Sequence, residues 1–216
     1  MVTKIGLISD VHASPVPLQQ ALDIFEREKV SDIICAGDVA GYFDTLDETI
    51  ELLERHHCKT IIGNHDQQYI ESAGDKADSP QAQYLRALPE TIELSIENKK
   101  LFIVHANPPS AQHGGIKLLD QYGELIQQQK DLWQKKLAGF DYDVLIVGHS
   151  HQVYTELLGN VLVINPGSTE FNHSCMILTL PDLSVQTFAL ENKTILKSWN
   201  FGMLFHSNNR YPSRKN

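Results

Sequence analysis

The run Ile33-Ile34-Cys35-Ala36-Gly37-Asp38 sets the arrangement of the whole chain, because an apolar segment of strand length stops at a glycine and then presents one carboxylate. A short apolar run bounded in this way is typical of a buried β-strand. The carboxylate then lies at the edge of the sheet, where a ligand has access to it. We predict that Asp38 bridges two metal ions at this edge.

Five other apolar runs also end in polar residues of types that bind metal or phosphate. The residues that follow these runs are Asp10-Val11-His12, Gly63-Asn64-His65-Asp66, His105, Gly148-His149-Ser150-His151 and Asn165-Pro166-Gly167-Ser168. In α/β sheets, ligands bind beyond the carboxyl ends of the strands. Six strands that end in such residues therefore indicate one common site, whereas a role in packing alone does not predict this agreement.

Length and composition predict one domain over residues 1–199 and a polar tail over residues 200–216, since 216 residues with 42% hydrophobic content suffice for one sizeable core. The net charge of -9 disfavours broad electrostatic binding to duplex nucleic acid or to anionic membranes. No apolar stretch approaches the roughly 20 residues that span a bilayer. We therefore expect a soluble, cytoplasmic protein, and the three scattered cysteines predict free, mostly buried thiols.

Helical spacing or a start signal marks several segments between the predicted strands. These are residues 18–25, residues 46–53 behind a capping-box pattern at Thr45, and a short helix opened by Ser79-Pro80. The longest helical pattern runs from residue 117 to residue 137. Alternation over residues 91–96 predicts a hairpin with the strand that reaches His105, and the late strands after residue 144 predict a second, partly antiparallel sheet.

Oxygen and nitrogen donors of the right kind for two metal ions follow these strands. They are Asp10, Asp38 and Asn64 as oxygen donors and His12, His105, His149 and His151 as imidazoles. Mixed ligation without thiolate favours Mn, Fe, Zn, Co or Ni over a cysteine-rich structural zinc site. Each motif alone is at least as consistent with an ordinary turn or loop cap as with a metal site, and the order of all of them together favours the metal site. The segment Asn165-Pro166-Gly167-Ser168 is consistent either with phosphate binding or with a tight turn that closes the sheet.

The motifs in this order resemble those of the calcineurin-like metallophosphoesterases, and in particular the small, mostly bacterial, single-domain members. The resemblance implies a four-layer α/β/β/α sandwich with two mixed sheets. It implies one ion held by Asp10, His12, Asp38 and His151 and a second held by Asp38, Asn64, His105 and His149. It also implies that His65 is the catalytic histidine and that Asp66 orients it. Of the possible metals, manganese is the first expectation.

The resemblance implies a phosphodiesterase that works by in-line attack of a metal-bridging hydroxide, with His65 as general acid. The expected substrate is a small phosphate ester or nucleotide, and the oligomeric state is left open. Two alternatives remain at this point. One is a phosphomonoesterase or a nucleotide or dinucleoside polyphosphate hydrolase with the same site, and the other is a non-catalytic, protein-binding scaffold on this fold.

Overall fold

Two five-stranded mixed sheets form the centre of the molecule. The computed structural model describes residues 2–74 and 78–199. The strands are β1 (Thr3–Ile8), β2 (Asp32–Cys35), β3 (Lys59–Thr60), β4 (Thr91–Ile96), β5 (Lys99–Val104), β6 (Val144–Ile146), β7 (Val153–Leu158), β8 (Val161–Pro166), β9 (Ser174–Leu180) and β10 (Ser184–Ala189). The helices are α1 (Pro15–Arg27), α2 (Leu46–Arg55), α3 (Asn64–Ser72), α4 (Pro80–Ala87) and α5 (Gln127–Lys136). The strand orders are β10-β9-β1-β2-β3 and β4-β5-β6-β8-β7.

The three parallel strands β1, β2 and β3 are joined through helices that cover the outer face of their sheet. The buried side of α1 includes Leu18 and Phe25, and that of α2 includes Leu46 and Leu53. These apolar residues recur at helical spacing and join one hydrophobic cluster behind the sheet. The two crossover helices predicted from periodicity are confirmed.

The inner faces of the two sheets pack against each other. One buried cluster combines Ile5 and Ile34 of the first sheet with Ile103, Ile146 and Ile164 of the second. A further cluster covers the outer face of the second sheet and includes Trp133 of α5 together with residues of the segment 116–119. Helices therefore lie outside both sheets, and the predicted four-layer α/β/β/α sandwich is confirmed.

The helix predicted over residues 117–137 is wrong in its first half, because only Gln127–Lys136 is helical. In the preceding residues, Leu119 forms a β-bridge with Leu125, and the buried Gln152 side chain accepts hydrogen bonds from the backbone N–H groups of Leu118 and Leu119. These contacts satisfy the backbone without a helix. The apolar periodicity there is not that of a buried face, since Tyr122 is 79% exposed.

The assignment of the late strands to a second sheet is also only partly right. Strands β6, β7 and β8 do extend the second sheet, next to β5. Strands β9 and β10 return to the first sheet, where β9 pairs antiparallel with β1. The chain crosses from the second sheet back to the first after β8. The alternation of apolar residues within a strand identifies the strand but does not indicate which sheet it joins.

Helix caps give a mixed outcome. Ser79 accepts a hydrogen bond from the Ala82 N–H, so the predicted start of α4 is confirmed. The capping box at Thr45 is wrong: α2 does begin there, but the Thr45 hydroxyl donates to the Ala13 carbonyl instead. Helix α3 is not predicted as a helix by the sequence, and it begins at Asn64 within the metal-ligand motif.

The remaining predictions concern the thiols, the hairpin and the tail. The three cysteines are free, with Cys35 and Cys175 buried, and β4 pairs with β5 in the predicted hairpin. None of the described helices is long and apolar enough to cross a membrane. The predicted tail, residues 200–216, lies outside the described residues, so the domain boundary at residue 199 stays a prediction. The cytoplasmic location also stays a prediction.

Candidate metal centre

All of the predicted site residues lie beyond strand ends at one edge of the two sheets. Asp10 and His12 follow β1, Asp38 follows β2, and Asn64 is the first residue of α3, shortly after β3. From the second sheet, His105 follows β5, while His149 and His151 follow β6. The structure therefore brings the seven predicted ligands together from both sheets.

Strained backbone marks the turns that carry these ligands. Five of the seven predicted ligands have a positive backbone φ angle, which residues other than glycine rarely adopt. They are Asp10 (52°), His12 (52°), Asp38 (56°), His149 (64°) and His151 (48°). Such strain persists where the surrounding structure over-determines it and is concentrated at functional sites. A side chain at Gly63 would overlap the Asp38 carboxylate, so the approach of α3 to Asp38 requires this glycine.

A first group of donors consists of Asp10, His12 and His151, whose ligand atoms all lie within 4.8 Å of one another. The His12 Nε2 and His151 Nε2 atoms face each other at 3.0 Å, and His151 Nε2 is 3.3 Å from Asp10 Oδ1. Asp38 Oδ2 lies 4.0 Å from His12 Nε2. All four side chains are buried.

A second group surrounds the other oxygen of Asp38. His105 Nε2 lies 3.4 Å from Asp38 Oδ1 and 3.1 Å from Asn64 Oδ1. His149 Nδ1 lies 2.7 Å from the same Asn64 oxygen. Asp38 thus contacts both groups, as expected for a shared ligand.

A histidine ring binds a metal ion through a nitrogen that carries no proton, so the hydrogen bonds of the other ring nitrogen show whether these groups fit cations. His12 Nδ1 lies 3.2 Å from the Ala40 carbonyl oxygen, and His105 Nδ1 lies 2.8 Å from the Ala36 carbonyl oxygen. A carbonyl oxygen only accepts, so both Nδ1 atoms donate, and neutral rings then present lone pairs at Nε2. Each lone pair faces other metal-ligand atoms of its own group, and a cation bound between these atoms would stabilise that arrangement. The donor set therefore fits divalent cations.

The electrostatics of the buried groups agree with that fit. Burial lowers the pKa of His12 to about 4 and that of His149 to about 4, so both rings are neutral at neutral pH. Burial opposes the ionisation of Asp10 and Asp38, but neighbouring imidazoles outweigh it and hold both pKa values below the usual range. His105 differs, because the Asp38 carboxylate outweighs burial and raises its pKa to about 9; this ring is protonated at neutral pH and must release the proton from Nε2 in order to bind a cation. Ionised carboxylates beside neutral imidazoles are the form in which these side chains bind metals.

The predicted catalytic histidine lies beside the ligands. The His65 backbone N–H donates to Asp38 Oδ1 at 2.8 Å, and the His65 ring centroid is 4.9 Å from that of His12. His65 is half-buried and lines the cavity in front of the donor groups. It is thus placed to contact a bound ester, which is the position that a general acid requires.

Asp66 contacts backbone groups on either side of the site, and its predicted role in orienting His65 stays a prediction. The two oxygens of the buried Asp66 carboxylate accept from the backbone N–H groups of Ala40 (2.7 Å) and Gly63 (2.8 Å). Burial, together with the Asp38 charge, raises the Asp66 pKa to about 7. Asp66 therefore ties the loop after β2 to the start of α3.

The Tyr42 side chain also contacts the His65 ring. Its hydroxyl oxygen lies 3.4 Å from His65 Nε2, and its ring packs edge-on against His12 with centroids 4.7 Å apart. Burial and the Asp38 charge raise the Tyr42 pKa to about 12, so the phenol keeps its proton at neutral pH. The sequence analysis assigned no role to Tyr42, although it directly follows Gly41 in the loop beyond Asp38.

The two readings of Asn165-Pro166-Gly167-Ser168 are decided in favour of a structural turn. The Gly167 and Ser168 N–H groups donate to the side chains of Asn165 and Asn172, so these amides are already used. The Ser168 hydroxyl donates to the Asp10 carbonyl at 2.6 Å. This buried segment therefore supports the ligand turns from behind and does not bind phosphate.

A cavity of about 420 Å³ opens in front of the donor groups. Asp38, Asn64, His65, His149 and His151 line its inner end. Its other walls include Lys117, Gln129 and Trp199. These three residues are not predictable from the sequence as parts of the site, because no motif or strand end marks them.

Comparison with known proteins agrees with this geometry. A profile of the calcineurin-like phosphoesterase superfamily domain matches residues 3–182. The chain belongs to the calcineurin-like phosphoesterase superfamily. The match contains every predicted ligand together with His65 and Asp66, and it confirms the resemblance and the assignment to the metal-dependent phosphoric ester hydrolases.

Relatives of this phosphoesterase are archaeal as well as bacterial. A phosphodiesterase from Methanocaldococcus jannaschii is 29% identical over 166 residues, which cover 76% of this chain and 82% of that protein. An uncharacterised protein of the same organism is 26% identical over 182 residues, 76% of this chain and 69% of its own. The crystal structure of a hypothetical protein from Pyrococcus horikoshii superposes with a TM-score of 0.73 at 18% identity, covering 94% of this chain and 91% of that one. That structural likeness concerns the fold alone.

Proposed function

We propose that this phosphoesterase hydrolyses a small phosphodiester with two divalent cations and with His65 as general acid. The observation that carries the proposal is the convergence of six other candidate ligands around Asp38, with the His65 ring beside them at the mouth of one cavity. The cations, when bound, would polarise the phosphate oxygens and lower the pKa of an attacking water. Manganese is the first candidate, with Fe, Zn, Co and Ni as the others.

The residues of the chain supply the remaining steps. Asp38 and Asn64 define the inner end of the cavity, so a phosphate bound there lies within reach of His65. A departing alkoxide needs a proton, and a histidine side chain is suited to provide it. The His65 backbone is held in place by its N–H hydrogen bond to Asp38 and by the Asp66 carboxylate, which accepts from the Gly63 N–H.

A second candidate is a phosphomonoesterase or a polyphosphate hydrolase that uses the same residues. It is favoured by Lys117, which adds a positive charge to the cavity where the sequence motifs supplied none. The scaffold alternative is disfavoured, because a protein-binding surface has no need of a buried and complete donor set under backbone strain.

The experiment compares an alkyl phosphodiester, an aryl phosphodiester and the matching monoesters, using metal-stripped protein before and after addition of Mn²⁺. We expect turnover only with metal and higher kcat/KM for the diesters. The variant His65→Asn should lose about 10²-fold with the alkyl ester and much less with the aryl ester, whose leaving group needs no proton. His57→Asn, an exposed histidine after α2, is the matched control and should retain full turnover.

Each part of the proposal has its own contrary outcome. Faster cleavage of the monoesters would replace the diesterase by the second candidate. Equal losses with both leaving groups would remove the acid role from His65. Absence of turnover with every divalent ion would make the scaffold alternative the one to pursue.

A further inference from the structure

The cavity extends well beyond the space that the scissile phosphate occupies at the donor groups. Its volume of about 420 Å³ falls in the range of sites that hold whole small molecules, roughly 300 to 1,000 Å³. Ile126, Gln129 and the aromatic side chain of Trp199 also line the cavity. The volume is therefore suited to a substrate of nucleotide size.

The wall that carries Lys117 has no regular secondary structure, and yet buried side chains hold it in place. The Ile116 carbonyl accepts from the Ser150 hydroxyl at 3.2 Å and from the Tyr154 hydroxyl at 2.9 Å. The side chain of Gln152 accepts from the next two amides, those of Leu118 (2.8 Å) and Leu119 (3.0 Å). Lys117 thus lies between two anchored points of the backbone, so its Cα is fixed relative to the metal centre.

These anchors come from the ligand segment itself. Ser150 lies between the ligands His149 and His151, and Gln152 follows directly. Any shift of the wall would disturb the same turn that presents the two imidazoles. The position of Lys117 is therefore tied to the position of the reacting phosphate, which is what a residue that measures substrate length requires.

The charge balance of the cavity singles out Lys117. Among the described residues that line it, the lysine is the one Lys or Arg side chain. Asp120 also lines the cavity, but its Oδ1 accepts from the backbone N–H groups of Tyr122 (2.8 Å) and Glu124 (2.9 Å), which holds it in a turn. In a protein of net charge -9, an exposed cation on this wall attracts anions to a place where most of the surface repels them.

We propose that Lys117 binds a second phosphate group of the substrate, so that this enzyme prefers phosphodiesters of nucleotide size that carry an additional phosphate. The inference rests on the proposed phosphodiesterase function and adds a specificity-determining residue to it. Lys117 acts as a point charge on a flexible stem, and such an ammonium binds phosphate without demanding one orientation.

The test uses two chromogenic esters that differ by one phosphate. These are thymidine 5′-(p-nitrophenyl phosphate) and the same ester with a 3′-phosphate, both assayed with the manganese-loaded enzyme. We expect the wild type to favour the 3′-phosphorylated ester about tenfold or more in kcat/KM, mainly through KM, as one charge-assisted contact provides. Lys117→Met should remove most of this preference, and Lys117→Arg should keep most of it.

A binding measurement separates recognition from turnover. Calorimetry of the manganese-loaded enzyme should show tighter binding of thymidine 3′,5′-bisphosphate than of thymidine 5′-phosphate, with the difference lost in Lys117→Met. The control Lys135→Met removes the same charge from an exposed position at the end of α5 and should behave as the wild type.

The outcomes distinguish this inference from the proposed function. Cleavage of both esters with equal kcat/KM, or equal losses of both in Lys117→Met, would overturn the role of Lys117 and leave the phosphodiesterase intact. Cleavage of neither ester, together with equal binding of the two thymidine phosphates, would overturn both.

Discussion

The hydroxyl of Tyr42 and the ring of His65 form a pair at the mouth of the cavity, with 3.4 Å between the Tyr42 oxygen and His65 Nε2. This distance is long for a hydrogen bond, and catalytic hydrogen bonds often tighten only when the substrate binds. A hydroxyl group held at Nε2 would set the orientation of the His65 imidazole. Tyr42 is thus a positioning residue that acts through His65.

We expect Tyr42→Phe to lower kcat about tenfold with an alkyl phosphodiester and to change KM little, because the lost contact orients the acid and does not bind the ester. The measurement is a double-mutant cycle with His65→Asn. The Tyr42→Phe loss should nearly disappear in the His65→Asn background. Equal losses in both backgrounds would show that Tyr42 contacts the substrate or the fold directly.

Single residues of the centre were predictable where the local sequence determines their place. Asp10, Asp38 and His105 directly follow apolar runs, and the ends of neighbouring parallel strands meet at one edge. Tyr42 and Lys117 were missed as site residues because neither position follows from its own segment. Tyr42 reaches His65 from a loop 23 residues earlier in the chain, and Lys117 enters the cavity from a segment held by Gln152.

At the scale of elements, the segment before α5 shows why periodicity failed. Apolar residues recur there at helical spacing, but Gln152 offers its side chain to consecutive backbone amides and its own N–H₂ donates to the Leu119 carbonyl at 2.6 Å. This tertiary contact outweighs a weak helical preference. A glutamine 33 residues away gives no signal in the window over which helical spacing is read.

Removal of this contact tests how much the segment depends on it. Gln152→Ala leaves the buried amides of Leu118 and Leu119 without their acceptor, so we expect the free energy of unfolding to fall by about 2 to 4 kcal/mol. Urea denaturation followed by circular dichroism measures this change. The control Gln134→Ala, at an exposed position of α5, should stay within about 0.5 kcal/mol of the wild type. Similar midpoints for both variants would show that solvent replaces the Gln152 contacts.

At the scale of the whole molecule, the metal centre lies where the two sheets meet. Asp10, His12 and Asp38 belong to the ends of β1 and β2, whereas His105 belongs to β5 of the other sheet. The first donor group takes His151 from the second sheet, and the second donor group takes Asp38 from the first. Each group therefore contains side chains from both sheets, and a cation bound to either group connects them.

Because unfolding separates the two sheets, it must also separate the ligands of each cation. Adding Mn²⁺ to metal-stripped protein should therefore raise Tm, and at 100 times Kd the gain is about 2.7 kcal/mol. For a chain of this size that gain corresponds to a shift of about 5 to 10 °C. Asp38→Asn removes the shared carboxylate and should lose most of the shift, whereas Asp131→Asn, exposed on α5, should keep all of it. A thermal scan with and without Mn²⁺ measures both. The same shift in Asp38→Asn as in the wild type would mean that the ions bind elsewhere than between the sheets.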